Sequence, residues 1–133
     1  MINCYDFDYV QYRNYSFKIY DISLNELCRY RKFFYKNAIA IAYVIDSSDI
    51  ECFQYYQQDI ITLAKETEHM QLPFLIIANK QDKKNAVSPS HIRDYLNLEV
   101  INKRDSCIIG TDAISGKGLN EVLDWMIEKG INK

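Results

Sequence analysis

A chain of 133 residues is long enough for one domain with a real core, and 48% hydrophobic residues with only four glycines and two prolines exclude a disordered or turn-rich all-β chain. Its 16 basic and 18 acidic residues leave a formal net charge of −2, which supplies no basic field for nucleic acid. Four cysteines stand singly at Cys4, Cys28, Cys52 and Cys107, apart from His69 and His91; they exclude a C-x-x-C zinc site and read as reduced, mostly buried thiols of a cytoplasmic protein.

In chain order, residues 7–13 and 16–22 alternate around Arg13-Asn14, which predicts two antiparallel strands on a tight turn. Residues 23–37 lose that alternation and read as a surface loop with a short helix. The apolar run 38–45 stops at Asp46, too short for a membrane span, and reads as a parallel strand covered on both faces. The following Asp46-Ser47-Ser48-Asp49 reads as a turn and helix cap rather than a metal site. Residue 2 is Ile2, so the glycine that myristoylation needs is missing and no membrane anchor is expected.

Phe53, Tyr56, Ile60, Leu63 and Ala64 then fall on one helical face. Pro73 opens the apolar run 73–78, which passes directly into Asn79-Lys80-Gln81-Asp82. This predicts a buried parallel strand carrying a ligand site at its carboxyl end. Ser88-Pro89 is a cap with proline at the first helical position, and Ile92, Tyr95 and Leu96 form that helix's inner face. Residues 106–111 make a short strand. Residues 118–129 make a closing helix with Leu119, Val122, Leu123, Trp125 and Met126 as its apolar side. Strands and helices alternate, so the fold expected is an open, mostly parallel sheet with helices on both faces.

The chemistry concentrates in two loops. An Asp three residues after an Asn, at the mouth of a strand, can present both carboxylate oxygens to neighbouring N–H donors. Guanine offers such a pair in N1–H and N2–H₂ and adenine does not, a distinction worth roughly 1–3 kcal/mol. The stem of Lys80 would lie along the ring and Asn79 would tie neighbouring loops together. Taken alone, N-K-x-D is also what a plain turn looks like. The second loop, Asp112-Ala113-Ile114, follows the next strand and would share one pocket with the first. There a backbone N–H at the small Ala113 would meet the guanine O6.

These residues carry a resemblance. Val10-Gln11-Tyr12-Arg13-Asn14-Tyr15-Ser16-Phe17-Lys18-Ile19-Tyr20-Asp21, Val44-Ile45-Asp46-Ser47-Ser48-Asp49, Ala78-Asn79-Lys80-Gln81-Asp82, Ala113-Ile114-Ser115-Gly116 and Leu123-Asp124-Trp125 stand in order along the chain. In these pieces the chain resembles the ADP-ribosylation factor (Arf and Arf-like) small GTPases. The resemblance implies a single domain over residues 1–133 with a Ras-like, doubly wound α/β fold. It implies GTP or GDP as ligand, with Asn79, Lys80, Asp82, Asp112, Ala113 and Ile114 on the base, and the family's role in vesicle-mediated transport, with endomembrane association by analogy.

The departures from the family pattern are equally specific. No G-x-x-x-x-G-K-[ST] loop for phosphates occurs. The near match at 110–118 has five residues between its glycines and Gly118 where Ser or Thr belongs. Asp21 matches the family's magnesium-linked aspartate but, without its metal partners, reads as a vestige rather than a magnesium site. Leu24 stands where a glycine amide would meet the γ-phosphate, Asn25 where a glutamine would orient water, and Ile2 where a threonine would bind Mg²⁺. The expectation is therefore a retained base half and an incomplete phosphate and Mg²⁺ half, with no catalytic residue or metal ligand assigned and hydrolysis improbable. A pseudo-GTPase interaction module or a truncated product is the alternative.

The resemblance also implies that the first strand and helix of the fold lie upstream of residue 1. Two strand edges would then close on each other, take a strand from another chain, or mark a fragment. Tyr5, Tyr20 and Phe34 align with an aromatic surface that the family offers to effector or regulator proteins. The other reading is that these rings simply pack the strands.

Overall fold

The computed structural model describes residues 5–22 and 31–132. Ile2, Cys4, Leu24, Asn25 and Cys28, to which the sequence assigns roles, lie outside the described residues, as does the side chain of Tyr5. The chain forms two compact units, Met1–Ala38 and Ile39–Lys133.

In the first unit, β1 (Tyr5–Tyr12) and β2 (Tyr15–Ile22) pair antiparallel from Tyr5↔Ile22 to Tyr12↔Tyr15. The period of two puts Phe7 opposite Tyr20, with ring centroids 6.0 Å apart. A single turn, α1 (Lys32–Tyr35), carries Phe34 to 4.9 Å from the Tyr20 ring and buries Tyr35.

The second unit is a parallel sheet in the order β3 (Ile41–Asp46), β4 (Phe74–Asn79), β5 (Ser106–Gly110). Its connections run through α2 (Phe53–Glu66) and α3 (Pro89–Leu96), and α4 (Leu119–Met126) closes it, continuing as a π turn at Ile127–Ile131. Residues on successive strands share a face by register: Tyr43 with Ile76 and Ile108, Ala42 with Leu75 and Cys107. On the Tyr43 face α2 packs, bringing Tyr56 to 6.3 Å from the Tyr43 ring and Asp59 within 3.0 Å of its hydroxyl. On the other face Val122 of α4 closes a cluster with Leu75 and Ile109, edged by Ile77, Cys107, Trp125 and Met126. Helices therefore cover both faces of the central strand β4. Each fully buried core side chain, such as Phe53, Phe74 or Ile92, stabilises the fold by roughly 1.5–3 kcal/mol.

Three packing expectations change. The strand at residues 38–45 is not covered on both faces, because Val44 is 55% exposed and Ala42 is also exposed; α4 lies over β4 and β5 and leaves β3 open on that side. Tyr95 and Leu119 are 52% and 38% exposed, Tyr95 resting its ring edge-on against the buried Phe53 from the margin of the core rather than inside it. The described cysteines, Cys52 and Cys107, are only partly buried. The turn at residue 49 is followed by a 3₁₀ segment, Ile50–Cys52, and Asp49 makes no side-chain cap. The cap at Ser88 is as expected, its hydroxyl accepting from His91 N–H with Pro89 at the first position. Among the described residues no helix is long and apolar enough to cross a membrane.

Candidate functional site

The carboxyl ends of β3, β4 and β5 lie side by side, since Asp46 registers with Asn79 and Ala78 with Gly110. At the end of β4 the chain turns sharply through Lys80, whose φ of 65° is left-handed. This turn lets Gln81 N–H donate to Thr111 O at 3.0 Å.

Asn79 is the clamp between two loops. Its Oδ1 accepts from the Thr111 hydroxyl at 2.9 Å and from Ala113 N–H at 3.2 Å. Thr111 is 1% exposed, so this bond sits in a protected place and fixes which way the Asn79 amide faces. Asp82 lies beyond, in the turn after Lys80, and is exposed. Among the described residues nothing bonds to its carboxylate, and no arginine lies against it.

Lys80 reaches back across the loop, Nζ 2.8 Å from Asp46 Oδ2. The other oxygen of Asp46 accepts from Ser48 N–H at 3.0 Å and the Ser48 hydroxyl at 2.6 Å. The Lys80 ammonium first, then the Ser48 bonds, push the Asp46 carboxyl down to about 2, and Asp46 raises the Lys80 ammonium in return. Gln81 Nε2 donates to Ser47 Oγ and to Val87 O, both at 3.0 Å, while Val87 N–H donates to Ser47 O at 2.9 Å. Three strand-end loops are thus laced into one rim.

The loop after β5 is closed on itself. Asp112 N–H donates to Lys117 O at 2.9 Å and Gly116 N–H to Asp112 O at 2.8 Å. Asp112 Oδ1 accepts from Ile114 N–H at 3.0 Å, and the Ser115 hydroxyl leads the contacts that hold the Asp112 carboxyl below its ordinary value. Ile114 is 91% exposed.

Asn79, Lys80, Asp112, Ala113 and Ile114 are therefore brought to one rim with Asp82 in the adjoining turn. The Ala113 amide expected to be open is engaged by Asn79 Oδ1. Four members of the rim have no part in the base site as the sequence reads it: Asp46 and Ser47, read as turn and cap residues, and Gln81 and Thr111. Asp46 was findable from its place at the last position of a parallel strand, where ligands and their supports collect; the partners of Gln81 are visible only in three dimensions. Asp21 sits in the hairpin opposite Asp6. Among the described residues no three His, Cys, Asp or Glu side chains gather as a metal site would require.

The profile of the ADP-ribosylation factor family matches residues 3–130. The chain is 32% identical over 125 residues to ADP-ribosylation factor-like protein 2 of Dictyostelium discoideum, an alignment covering 93% of this chain and 68% of that one. Among solved structures it is similar to the Arl6 small GTPase of Trypanosoma brucei, solved with the bound nucleotide analogue GppNp. The TM-score there is 0.89 at 21% identity, covering 98% of this chain and 81% of the other, which shows a shared Ras-like α/β fold. The chain belongs to the ADP-ribosylation factor family of small GTPases.

Proposed function

We infer that this rim recognises the guanine base of GTP or GDP. The observation that carries the reading is the Asn79 clamp: one side chain bonds both Thr111 and Ala113 and so fixes the two loops as one wall, while the carboxylate of Asp82 stays uncommitted. In this reading Asp82 accepts from guanine N1–H and N2–H₂. The stem of Lys80, its ammonium anchored on Asp46, supports the ring. Ala113 N–H meets O6 by sharing or leaving Asn79 Oδ1, and the bond from Ile114 N–H to Asp112 Oδ1 holds that loop in shape.

The proposal concerns recognition of the base alone; phosphate binding, hydrolysis and Mg²⁺ are not part of it. Calorimetry on the chain with guanosine, GMP, GDP and GTP, with and without Mg²⁺, tests this. Affinities within a few-fold of one another, and well above that for ADP, are expected. No heat with any guanine ligand at millimolar concentration removes the reading. Asp82→Asn exchanges an acceptor for a donor. Guanine affinity should fall by roughly 1–3 kcal/mol, about 5- to 150-fold, while xanthine, which carries a carbonyl at C2, should gain.

A second reading is favoured by the hairpin. Phe7, Tyr9 and Tyr20 are 48%, 59% and 38% exposed, on one face with Lys18 Nζ 4.7 Å above the Phe7 ring, and an exposed aromatic patch marks a partner surface. We place effector or regulator binding here, around Tyr20 and Phe34 with Tyr5 on the same strand pair. It would persist in a pseudo-GTPase that binds no nucleotide. Vesicle-mediated transport is the cellular setting that family membership favours for either reading.

A further inference from the structure

Among the described residues β5 pairs with β4 alone, which leaves its second edge open. The ladder fixes which groups face that edge. Phe74 N–H donates to Asp105 O at 2.8 Å and Thr111 N–H to Ala78 O at 2.9 Å. Cys107 and Ile109, at even steps between these ends, therefore turn their backbone groups to β4, and Ser106, Ile108 and Gly110 turn theirs outward. A Cβ at Gly110 would come within 2.8 Å of Pro89 Cγ, so Pro89 closes over the sheet face at that end. Ser106 and Ile108 are two of the outward ladder positions.

Beside this edge runs a groove of about 470 Å³, floored by Cys107 to Gly110 and walled by Pro89 and by Glu121, Asp124, Trp125 and Glu128. The last four recur at helical spacing, so α4 and its continuation present one indole framed by three carboxylates. Among the described residues that line the groove none is a lysine or arginine, and at the wall's end Lys129 Nζ lies 3.6 Å from Glu128 Oε1. β5 itself, Ser106-Cys107-Ile108-Ile109-Gly110, has no charge or proline to discourage pairing.

The open ladder positions select an extended occupant, because a helix has no free N–H and C=O at that spacing. The wall selects its charge. A lysine or arginine places its aliphatic stem and cation against an indole and its head near carboxylates, and an extended segment offers such a residue at every second position. We propose that the open edge of β5 takes up an extended basic segment of a partner protein as an additional strand, with alternate Lys or Arg side chains on Trp125 between Glu121, Asp124 and Glu128. This surface is separate from the base rim and stands whether or not nucleotide binds.

The test uses the whole chain and a ten-residue peptide alternating valine and lysine, followed by calorimetry and by amide and indole NMR shifts. Binding in the micromolar to sub-millimolar range at low salt is expected, with shifts concentrated at Ser106, Ile108 and the Trp125 indole. The same peptide N-methylated at alternate residues keeps its charge but loses ladder donors, and should bind at least tenfold more weakly. A peptide alternating valine and glutamate should not bind. Glu121→Lys with Glu128→Lys should also cost tenfold or more. Absence of those shifts at 1 mM peptide overturns the proposal, as does undiminished binding of the N-methylated peptide or undiminished binding by the charge-reversed variant. The N-methyl comparison uses the unaltered chain, so misfolding of the variant would not rescue the idea.

Discussion

Lys80 occupies a backbone conformation that an L-residue adopts at a cost of about 1–2 kcal/mol, and the rim returns that cost through contacts only this conformation permits. The left-handed turn sends Gln81 onto Thr111 and the Lys80 ammonium onto Asp46. The Asp46 carboxyl, lowered from 3.8 to about 2, favours the folded state fully above pH 3.8. That contribution is lost as pH falls through about 2, because protonation releases Lys80. Lys80, raised, favours the folded state below its ordinary value of 10.5 and loses that effect as pH rises past its folded value. Asp46→Asn should therefore flatten the acid limb of a urea-midpoint against pH profile between about pH 4 and 2. It should leave the shape near neutrality unchanged. An identical acid limb in the variant would show that the ion pair does not couple to folding.

At the scale of elements, most of the fold was legible. Alternation in residues 16–22, the apolar run before Asn79 and the 3.6-residue recurrence from Phe53 to Ala64 each point to one structure, and the Ser88-Pro89 cap starts α3 where expected. At the candidate site, the placement of Asn79 and Asp82 at the mouth of β4 was legible from the apolar run and its polar tetrad. It was not legible where a side chain works across loops: Gln81 reaches Ser47 and Val87 through contacts that no local pattern records. Helical periodicity also overstated the burial of Tyr95 and Leu119, because it says which side is apolar but not how far the neighbouring elements extend over it.

Arg104 is the clearest omission. Only 9% exposed, it donates to Thr67 Oγ1 at 2.8 Å and Ala64 O at 2.7 Å, and so caps the carboxyl end of α2. Arg104→Met keeps the stem but strands those acceptors, and should lower stability by about 2–3 kcal/mol in denaturant unfolding. Gly118, with φ of 85°, is equally constrained: a Cβ there would lie 2.3 Å from Gly110 O and 3.2 Å from Thr111 Cγ2. Gly118→Ala should cost roughly 2–4 kcal/mol and loosen the Asp112–Ile114 loop. Its check is a lowered urea midpoint together with weaker guanine binding than in Arg104→Met at equal stability.

For the whole molecule, the unresolved economy is at the sheet's two margins. Among the described residues β3 and β5 each pair on one side only, so each leaves a strand edge without a ladder partner. β5 is flanked by a charged groove. β3 has no such protection: Ile41-Ala42-Tyr43-Val44-Ile45 carries no charge, proline or glycine, and Val44 and the neighbouring Ile39 are 55% and 43% exposed. Ala42 and Val44, between the residues bonded to β4, turn their backbone groups to the open edge. A short uncharged edge of high strand propensity is an association hazard. Val44→Lys places a charge on the exposed face without entering the core, so unfolding stability should move by no more than about 0.5 kcal/mol. Concentration-dependent light scattering should fall severalfold in the same variant. If scattering is unchanged while stability holds, association of this chain does not run through β3; if stability drops by several times that amount, the Val44 side chain is packed in solution and the open face is covered there.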